Sequence, residues 1–386
     1  MDASSISGVN FQLLYQAKEW HMKRRSFIIF VSVLMVITGT INTLATKWAD
    51  TIKAKGTNPK PEHYFIHPYM QALGMFAGEA SCLVVFKFLY LYYKWVKKDA
   101  TKYGKQKFSP MIFAIPAFCD VIGTSLMFVG LNLTSASSYQ ILHGAVIIFT
   151  ALLSKAFFGS KLQLYHWVGM LTVVIGLIVV GLGDMTGISY TKDRYSVLAG
   201  DLLIVGAQII SAVQVTVEQL FVQGLNVPPL QAIGWEGVFG FCFVGVSLVP
   251  MYFIPWHIPS GPHFWYSDRR FEDSIDAVYQ IFYIPTLTVS FFTSVVSIAI
   301  YNYAELSVTK EINAITSVTL DSVRVLFIWI FEMIVMWQKF SFYQPIGFLI
   351  LVIGVCVYYD IIFSWVMKRL HIWPYFCGVP DGEDYV

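Results

Sequence analysis

Charge is scarce in this chain. Only 13% of its 386 residues are Asp, Glu, Lys or Arg and 56% are hydrophobic, a balance outside the range of soluble globular domains. Basic runs are confined to Lys23–Arg25 and the lysines between Lys94 and Lys107, which leaves no nucleic-acid footprint. Cysteine is scarce too. Cys82, Cys119, Cys242, Cys356 and Cys377 form no CxxC pair and four of them lie in apolar stretches, so neither a disulfide framework nor a zinc site is expected. There is no HExxH, no GxSxG, no GxxxxGK[ST], and no GxGxxG opening a helix after a strand. The sequence therefore points to no enzyme, catalytic residue or cofactor. His21, His63, His67, His166 and His257 fall in loops or at span ends without ligand spacing, and no metal ligands are expected among them.

What the chain has is long apolar runs. Each bilayer crossing needs roughly 20 apolar residues, and ten such segments can be drawn: 27–46, 67–93, 110–131, 135–158, 165–182, 197–222, 230–253, 284–305, 309–333 and 345–367. The fold class expected is an all-α integral membrane protein with ten transmembrane helices. Residues 1–26 are read as a cytosolic tail without a cleaved signal peptide, and 368–386 as a second cytosolic tail. Lys and Arg give the orientation: thirteen lie on the side of the two tails and nine on the other. The longest loop, Pro255 to Asp273, falls on the outer side. Asn132-Leu-Thr134 is the one glycosylation sequon, in a turn too tight against the bilayer for a glycan.

The two halves repeat. Placing Gly169 on Gly347 and stepping back without a gap brings Ala136 onto Ala314, Ser138 onto Thr316, Leu142 onto Leu320 and Phe149 onto Phe327; stepping forward, Gly176 meets Gly354. Gln71–Gly74 likewise recurs as Gln231–Gly234. The step from Gln71 to Gln231 is shorter than that from Gly169 to Gly347, so the second half has gained residues between its second and fourth spans. Repeats of this kind are read before other features. Residues 27–184 form one five-helix unit and 185–367 the other. Five is odd, so the two copies have opposite topology, and such inverted repeats place a site at their interface near the midplane.

Ionisable groups inside the bilayer cost a few kcal/mol, about 2.5–3.5 on the gentler scales, and each calls for a partner or a wet cavity. Glu79, Asp120, Asp201, Glu218, Glu236, Glu311 and Asp321 outnumber Lys155, Lys310, Arg324 and the titratable His143. Asp201, Lys155, Lys310 and Glu311 are near enough to span ends to snorkel. At about 100° per residue, Tyr139, His143, Thr150 and Ser154 share one helix face, and Asp201, Gln208, Ser211, Gln214 and Glu218 form a polar arc on another span. Asp321 and Arg324, three apart, meet across one turn. Asp321 also matches His143 in the repeat, as either a proton-responsive gate or a plain buried pair. Glu79 and Glu236 sit beside Gly78, Gly234 and Gly237, which permit close helix approach. Asp120, central in its span, is a substrate or proton site or an internal lock.

Eight runs carry a family resemblance: Gly39–Asp50 (GTINTLATKWAD), His67–Glu79 (HPYMQALGMFAGE), Phe118–Met127 (FCDVIGTSLM), Thr134–Gln140 (TSASSYQ), Gly144–Thr150 (GAVIIFT), Glu236–Phe241 (EGVFGF), and the pair Ser307–Glu311 with Leu320–Arg324 (SVTKE, LDSVR). They resemble the drug/metabolite transporter superfamily and, within it, the nucleotide-sugar-transporter-like solute carrier 35 family, subfamily F. The resemblance implies two repeats working by alternating access around a central cavity, in an intracellular membrane: lysosomal, endosomal, Golgi or mitochondrial. The pathway candidates are then Asn42, Glu79, Asp120, Tyr139, Gln140, His143, Gln208, Gln214, Glu236, Asp321 and Arg324. The partners expected are membrane lipid and a small-molecule solute. The alternative is an adaptor acting through a protein partner or as a homodimer. Two departures bear on the solute. The resemblance implies arginines where this chain has His143 and Ser317, the GALNK signature is absent, and a phosphate-bearing solute would want fixed cations.

Overall fold

A computed structural model describes residues 3–57, 62–96, 108–134, 139, 142–159, 162–185, 194–254, 270–335 and 342–360. Eleven α-helices make up most of it: α1 (Ala3–Thr51), α2 (Pro68–Trp95), α3 (Ala114–Leu133), α4 (Ala145–Phe158), α5 (Leu164–Met185), α6 (Arg194–Gln219), α7 (Pro229–Phe253), α8 (Ser274–Tyr283), α9 (Pro285–Glu311), α10 (Ala314–Ile334) and α11 (Tyr343–Tyr358). Between α1 and α2 lies a small antiparallel hairpin, β1 (Lys53–Lys55) and β2 (Glu62–Tyr64), with Ala54 opposite His63. A 3₁₀ turn, Pro110–Phe113, leads into α3, and a π turn, Leu220–Gly224, extends α6. Gln140 lies outside the described residues.

Seven of these helices are long and apolar enough to cross a bilayer: α1 from Met22 onward, α2, α3 with its 3₁₀ turn, α6 with its π turn, α7, α9 and α10. Residues of α4, α5 and α11 form shorter apolar helices. This is an all-α membrane protein, in keeping with the rule that a helix satisfies its own backbone in hydrocarbon. Large side chains such as Phe88, Val246, Phe253 and Leu349 stand exposed, as a lipid-facing surface requires. The starts of α2, α7 and α9 follow from Pro68, Pro229 and Pro285 in their first turns, where a missing N–H costs nothing. The start of α10 is set by Asn313, whose side chain accepts from the Thr316 N–H at 2.7 Å, a cap that satisfies one orphan donor.

The junction of α9 and α10 lies later than the sequence reading placed it. The span drawn to end at Glu305 continues as helix to Glu311, and the break falls at Ile312 and Asn313. No Gly or Pro interrupts the stretch from Tyr301 to Glu311, so nothing stops the helix earlier. The π turn of α6 then holds this junction. Gln223 donates to the carbonyls of Thr309, Lys310 and Ile312 at 2.8, 3.1 and 3.2 Å, and Gln219 accepts from the Ala314 N–H at 2.9 Å. Carbonyls at the end of one helix and an amide at the start of the next are thus satisfied by side chains of a third.

The main helix pairs are α5 with α11, α1 with α9, α2 with α7, and α3 with α6. Small residues set the first of these. A Cβ on Gly176 would lie 2.8 Å from the Gly347 carbonyl oxygen, and one on Gly354 would lie 3.0 Å from that of Gly169. Backbone, not a flexible side chain, fills the space. Gly176→Val is therefore expected to destabilise the fold by about 1–3 kcal/mol or more through overpacking. Gly206→Ala, with nothing within 4 Å, is the control expected to leave stability unchanged. The thermal midpoint in detergent, read by tryptophan fluorescence, checks both.

Candidate functional site

Six helices bring acids together inside the bundle. Glu79 on α2 and Glu236 on α7 are buried at 2% and 3% exposure. Gly237 has no side chain because the α2 backbone at Ala80 and the Cβ of Glu79 fill its place, so the two helices cross tightly beside both carboxylates. The Gln214 amide of α6 bridges two acids, donating to Glu218 Oε1 at 3.0 Å and to Glu236 Oε1 at 3.3 Å. Glu79 Oε1 accepts from the Asn302 amide of α9. The second carboxylate oxygens of Glu79 and Glu236 are buried with no hydrogen-bond partner among the described residues. Asp120 on α3 accepts from Thr124 Oγ1, one turn along, at 3.1 Å, and interacts electrostatically with Glu79, Glu218 and Glu236.

Glu305 on α9 extends this network towards α10, interacting with Glu218 on one side and Asp321 and Arg324 on the other. There a compact motif closes it. Asp321 accepts from Tyr301 Oη at 2.8 Å and from Arg324 Nη2 at 3.0 Å, and the guanidinium lies 5.1 Å from the Tyr301 ring centre. This charge-assisted pair, with a cation over an aromatic face, is the strong kind of buried polar contact. Gly39 on α1 makes room for it. A Cβ there would sit 2.7 Å from the Tyr301 ring and 2.8 Å from Arg324 Cδ.

The remaining expected residues lie around this network or apart from it. Tyr139 stacks on His143, with ring centres 5.8 Å apart and planes 14° from parallel. His143 feels the charges of Asp321 and Arg324. Gln208 is fully buried and donates to Met127 Sδ at 3.5 Å. His143 also interacts with the Gln208 side chain, and the hydroxyls of Thr150 and Ser154 are buried with no hydrogen-bond partner among the described residues. Asn42 is not in the acid network; it accepts from Ser294 at 2.8 Å in the seam between α1 and α9. Asp201 and Glu311, read as near span ends, bind Thr134 and Arg24 at 2.5 and 2.9 Å.

Four participants escaped the choice of candidates. Glu218 was visible in the polar arc of α6 but stood out no more than its neighbours. Tyr301, Asn302 and Glu305 fell near a span end drawn at Glu305. The unbroken helical run beyond that point is the signal that places them deep in the bundle.

The EamA-like transporter family matches residues 65–182. Solute carrier family 35 member F6 of Homo sapiens is 46% identical over 331 residues, covering 86% of this chain and 88% of the relative. The chain belongs to the solute carrier 35 family. The Rattus norvegicus protein of the same name is 44% identical over 332 residues. An uncharacterised protein of Schizosaccharomyces pombe is 29% identical over 338 residues, covering 86% of this chain and 98% of its own. A protein of known crystal structure superimposes with a TM-score of 0.57 over 89% of this chain and 99% of its own, at 13% identity, a likeness of fold alone. In this solute carrier 35 protein, Ser317 donates its hydroxyl to the Glu305 carbonyl at 3.2 Å. That position therefore supplies a hydroxyl beside the acid network where the resemblance implied a cation.

Proposed function

We propose that this solute carrier 35 protein is a secondary transporter that moves an organic solute across an intracellular membrane by alternating access, coupled to protons. The observation that carries the reading is the network of buried carboxylates from Glu236 through Glu218, Asp120 and Glu79 to Glu305. It joins helices of both halves and leaves two carboxylate oxygens without hydrogen-bond partners among the described residues. Intramembrane acids facing the bundle interior are the usual mark of a solute or proton path. Two inverted five-helix repeats, 27–184 and 185–367, fit the packing. Exchanging each span for its counterpart turns the α1–α9 pair into α6–α3 and returns α2–α7 and α5–α11 to themselves. The Gly176–Gly347 approach likewise maps onto Gly354–Gly169. A solute site between such units is the standard arrangement of secondary transporters.

The surplus of acids and the single guanidinium of Arg324, already tied to Asp321, favour a cationic or neutral solute over a sugar nucleotide. Uptake into proteoliposomes of nucleotide sugars and of cationic metabolites, with and without an imposed pH gradient, tests this. Gradient-driven uptake of a cation, lost in Asp120→Asn, is the expected result. Preferred uptake of the anions overturns the reading of the solute. Activity unchanged in Asp120→Asn removes that residue from the mechanism and favours an adaptor that acts through a partner.

A further inference from the structure

A second polar cluster lies apart from the acid network, where the β1–β2 hairpin, the start of α2 and α8 meet. His63 on β2, His67 just before α2, and Asp276 in the first turn of α8 are all buried, at 8%, 2% and 0% exposure. One ligand atom from each lies within 4.8 Å of the others. We propose that His63, His67 and Asp276 form a divalent-cation site of the zinc class, with a water as fourth ligand.

The orientation of each donor supports this. His67 Nδ1 lies 2.7 Å from Glu272 Oε1. Donation to that carboxylate puts the proton on Nδ1 and leaves Nε2 as the lone-pair atom facing Asp276 Oδ2, 3.9 Å away. A carboxylate holding the far nitrogen of a histidine is the common outer-shell arrangement around zinc. Asp276 Oδ1 is occupied by the Thr57 N–H and hydroxyl at 2.7 and 3.1 Å, which points Oδ2 at the two imidazoles.

His63 Nε2 then faces a conflict. It lies 2.8 Å from Asp276 Oδ2, an acceptor, and 2.9 Å from Gln280 Nε2, a donor. One nitrogen cannot donate to the first and accept from the second. Rotating the Gln280 amide exchanges its ends but takes the donor away from the Ala54 carbonyl, now 3.3 Å from Nε2. As placed, Gln280 Oε1 is fully buried without a partner. A cation on the His63 and His67 Nε2 atoms and Asp276 Oδ2 removes the demand that His63 Nε2 both donate and accept, and a water fills the fourth position while Gln280 keeps its donor on the Ala54 carbonyl. Gly56 supplies the room: a Cβ there would lie 2.6 Å from the His63 ring and 2.7 Å from Asp276 Oδ1. Zinc bonds of about 2.0–2.1 Å set tetrahedral ligand atoms roughly 3.3 Å apart. The 2.8 and 3.9 Å separations straddle that value, so each moves by about half an ångström.

The site joins the His63 and His67 pair, whose His-x3-His spacing is known among zinc ligands, to Asp276 more than two hundred residues further along the chain, which is why no complete ligand set marked it in the sequence. The test uses the full-length chain in detergent with its purification tag removed, stripped by chelator and titrated with Co²⁺ and then Zn²⁺. Intense visible bands of four-coordinate cobalt saturating at one ion per chain, displaced by zinc, with a raised thermal midpoint, are expected. Both signals are lost in His63→Gln and Asp276→Asn, and Glu272→Gln weakens affinity by about 10–100-fold. Folding of the variants is checked by size-exclusion chromatography. Where a ligand variant does not fold, the wild-type titration and Glu272→Gln decide. A folded wild type that gives no bands and no thermal shift overturns the proposal in favour of a hydrogen-bonded staple, as does cobalt binding that persists in both folded ligand variants. Neither result bears on transport through the acid network.

Discussion

Arg324→Met is expected to cut the yield of folded protein sharply and to lower stability by about 3–5 kcal/mol, the cost of removing one partner from a buried ion pair. The reason is the company Arg324 keeps. Its guanidinium is bound to Asp321 at 3.0 Å, lies against the Tyr301 ring, and interacts with Glu305. Without it, Asp321 keeps, among the described residues, the hydrogen bond from the Tyr301 hydroxyl, and the nearby acids lose their cation. The side chain also packs through its stem into the space left by Gly39, so the loss includes packing as well as charge. The paired variant Asp321→Leu with Arg324→Met is expected to recover much of the stability, since replacing a whole buried pair with apolar groups is often neutral or better. Size-exclusion yield and thermal midpoint of the single and double variants provide the check. A single variant as stable as wild type would show that Arg324 is hydrated and not part of a locked pair.

Glu236→Gln is expected to act in the opposite way, with transport lost and the fold retained. Glutamine keeps the shape, and its oxygen can still accept from Gln214, now 3.3 Å from Glu236 Oε1. What disappears is the ionisable oxygen that has no hydrogen-bond partner among the described residues. Loss of one charge-assisted contact to a bound solute or proton, about 1.5–3 kcal/mol, corresponds to a fall of roughly tenfold to a hundredfold in uptake. Glu218→Gln is expected to share this behaviour because the same Gln214 amide bridges both carboxylates. Unimpaired uptake in both variants, with both folded, would remove this end of the network from the solute path.

Much of the bundle was legible because a membrane imposes a simple rule. Apolar runs of span length become helices, and each of the ten runs drawn overlaps one of the described helices. The pairing of Asp321 with Arg324 was legible for a local reason, since residues three apart on a helix face one another. The closeness of Glu79 and Glu236 showed through the glycines beside them. Glu305 was missed because span ends are the least certain part of such a reading. Its depth depends on α9 running on to Glu311, which hydropathy alone does not set. Of the His63, His67 and Asp276 cluster only the His-x3-His spacing was open to the sequence, and the expectation of no metal ligands passed over it. The cluster's members come from a hairpin, a helix entry and the short helix α8, and only the tertiary fold brings Asp276 to the two histidines.

The central claim is that buried carboxylates couple solute movement to protons. The most direct measurement is solute-driven proton flux, recorded with a pH-sensitive dye inside proteoliposomes holding wild type or Glu236→Gln, using whichever nucleotide sugar or cationic metabolite is taken up most strongly. The account predicts a dye response on addition of solute to wild-type vesicles and none with Glu236→Gln. Equal solute uptake with no proton movement in wild type, or an undiminished proton signal in Glu236→Gln, would contradict it.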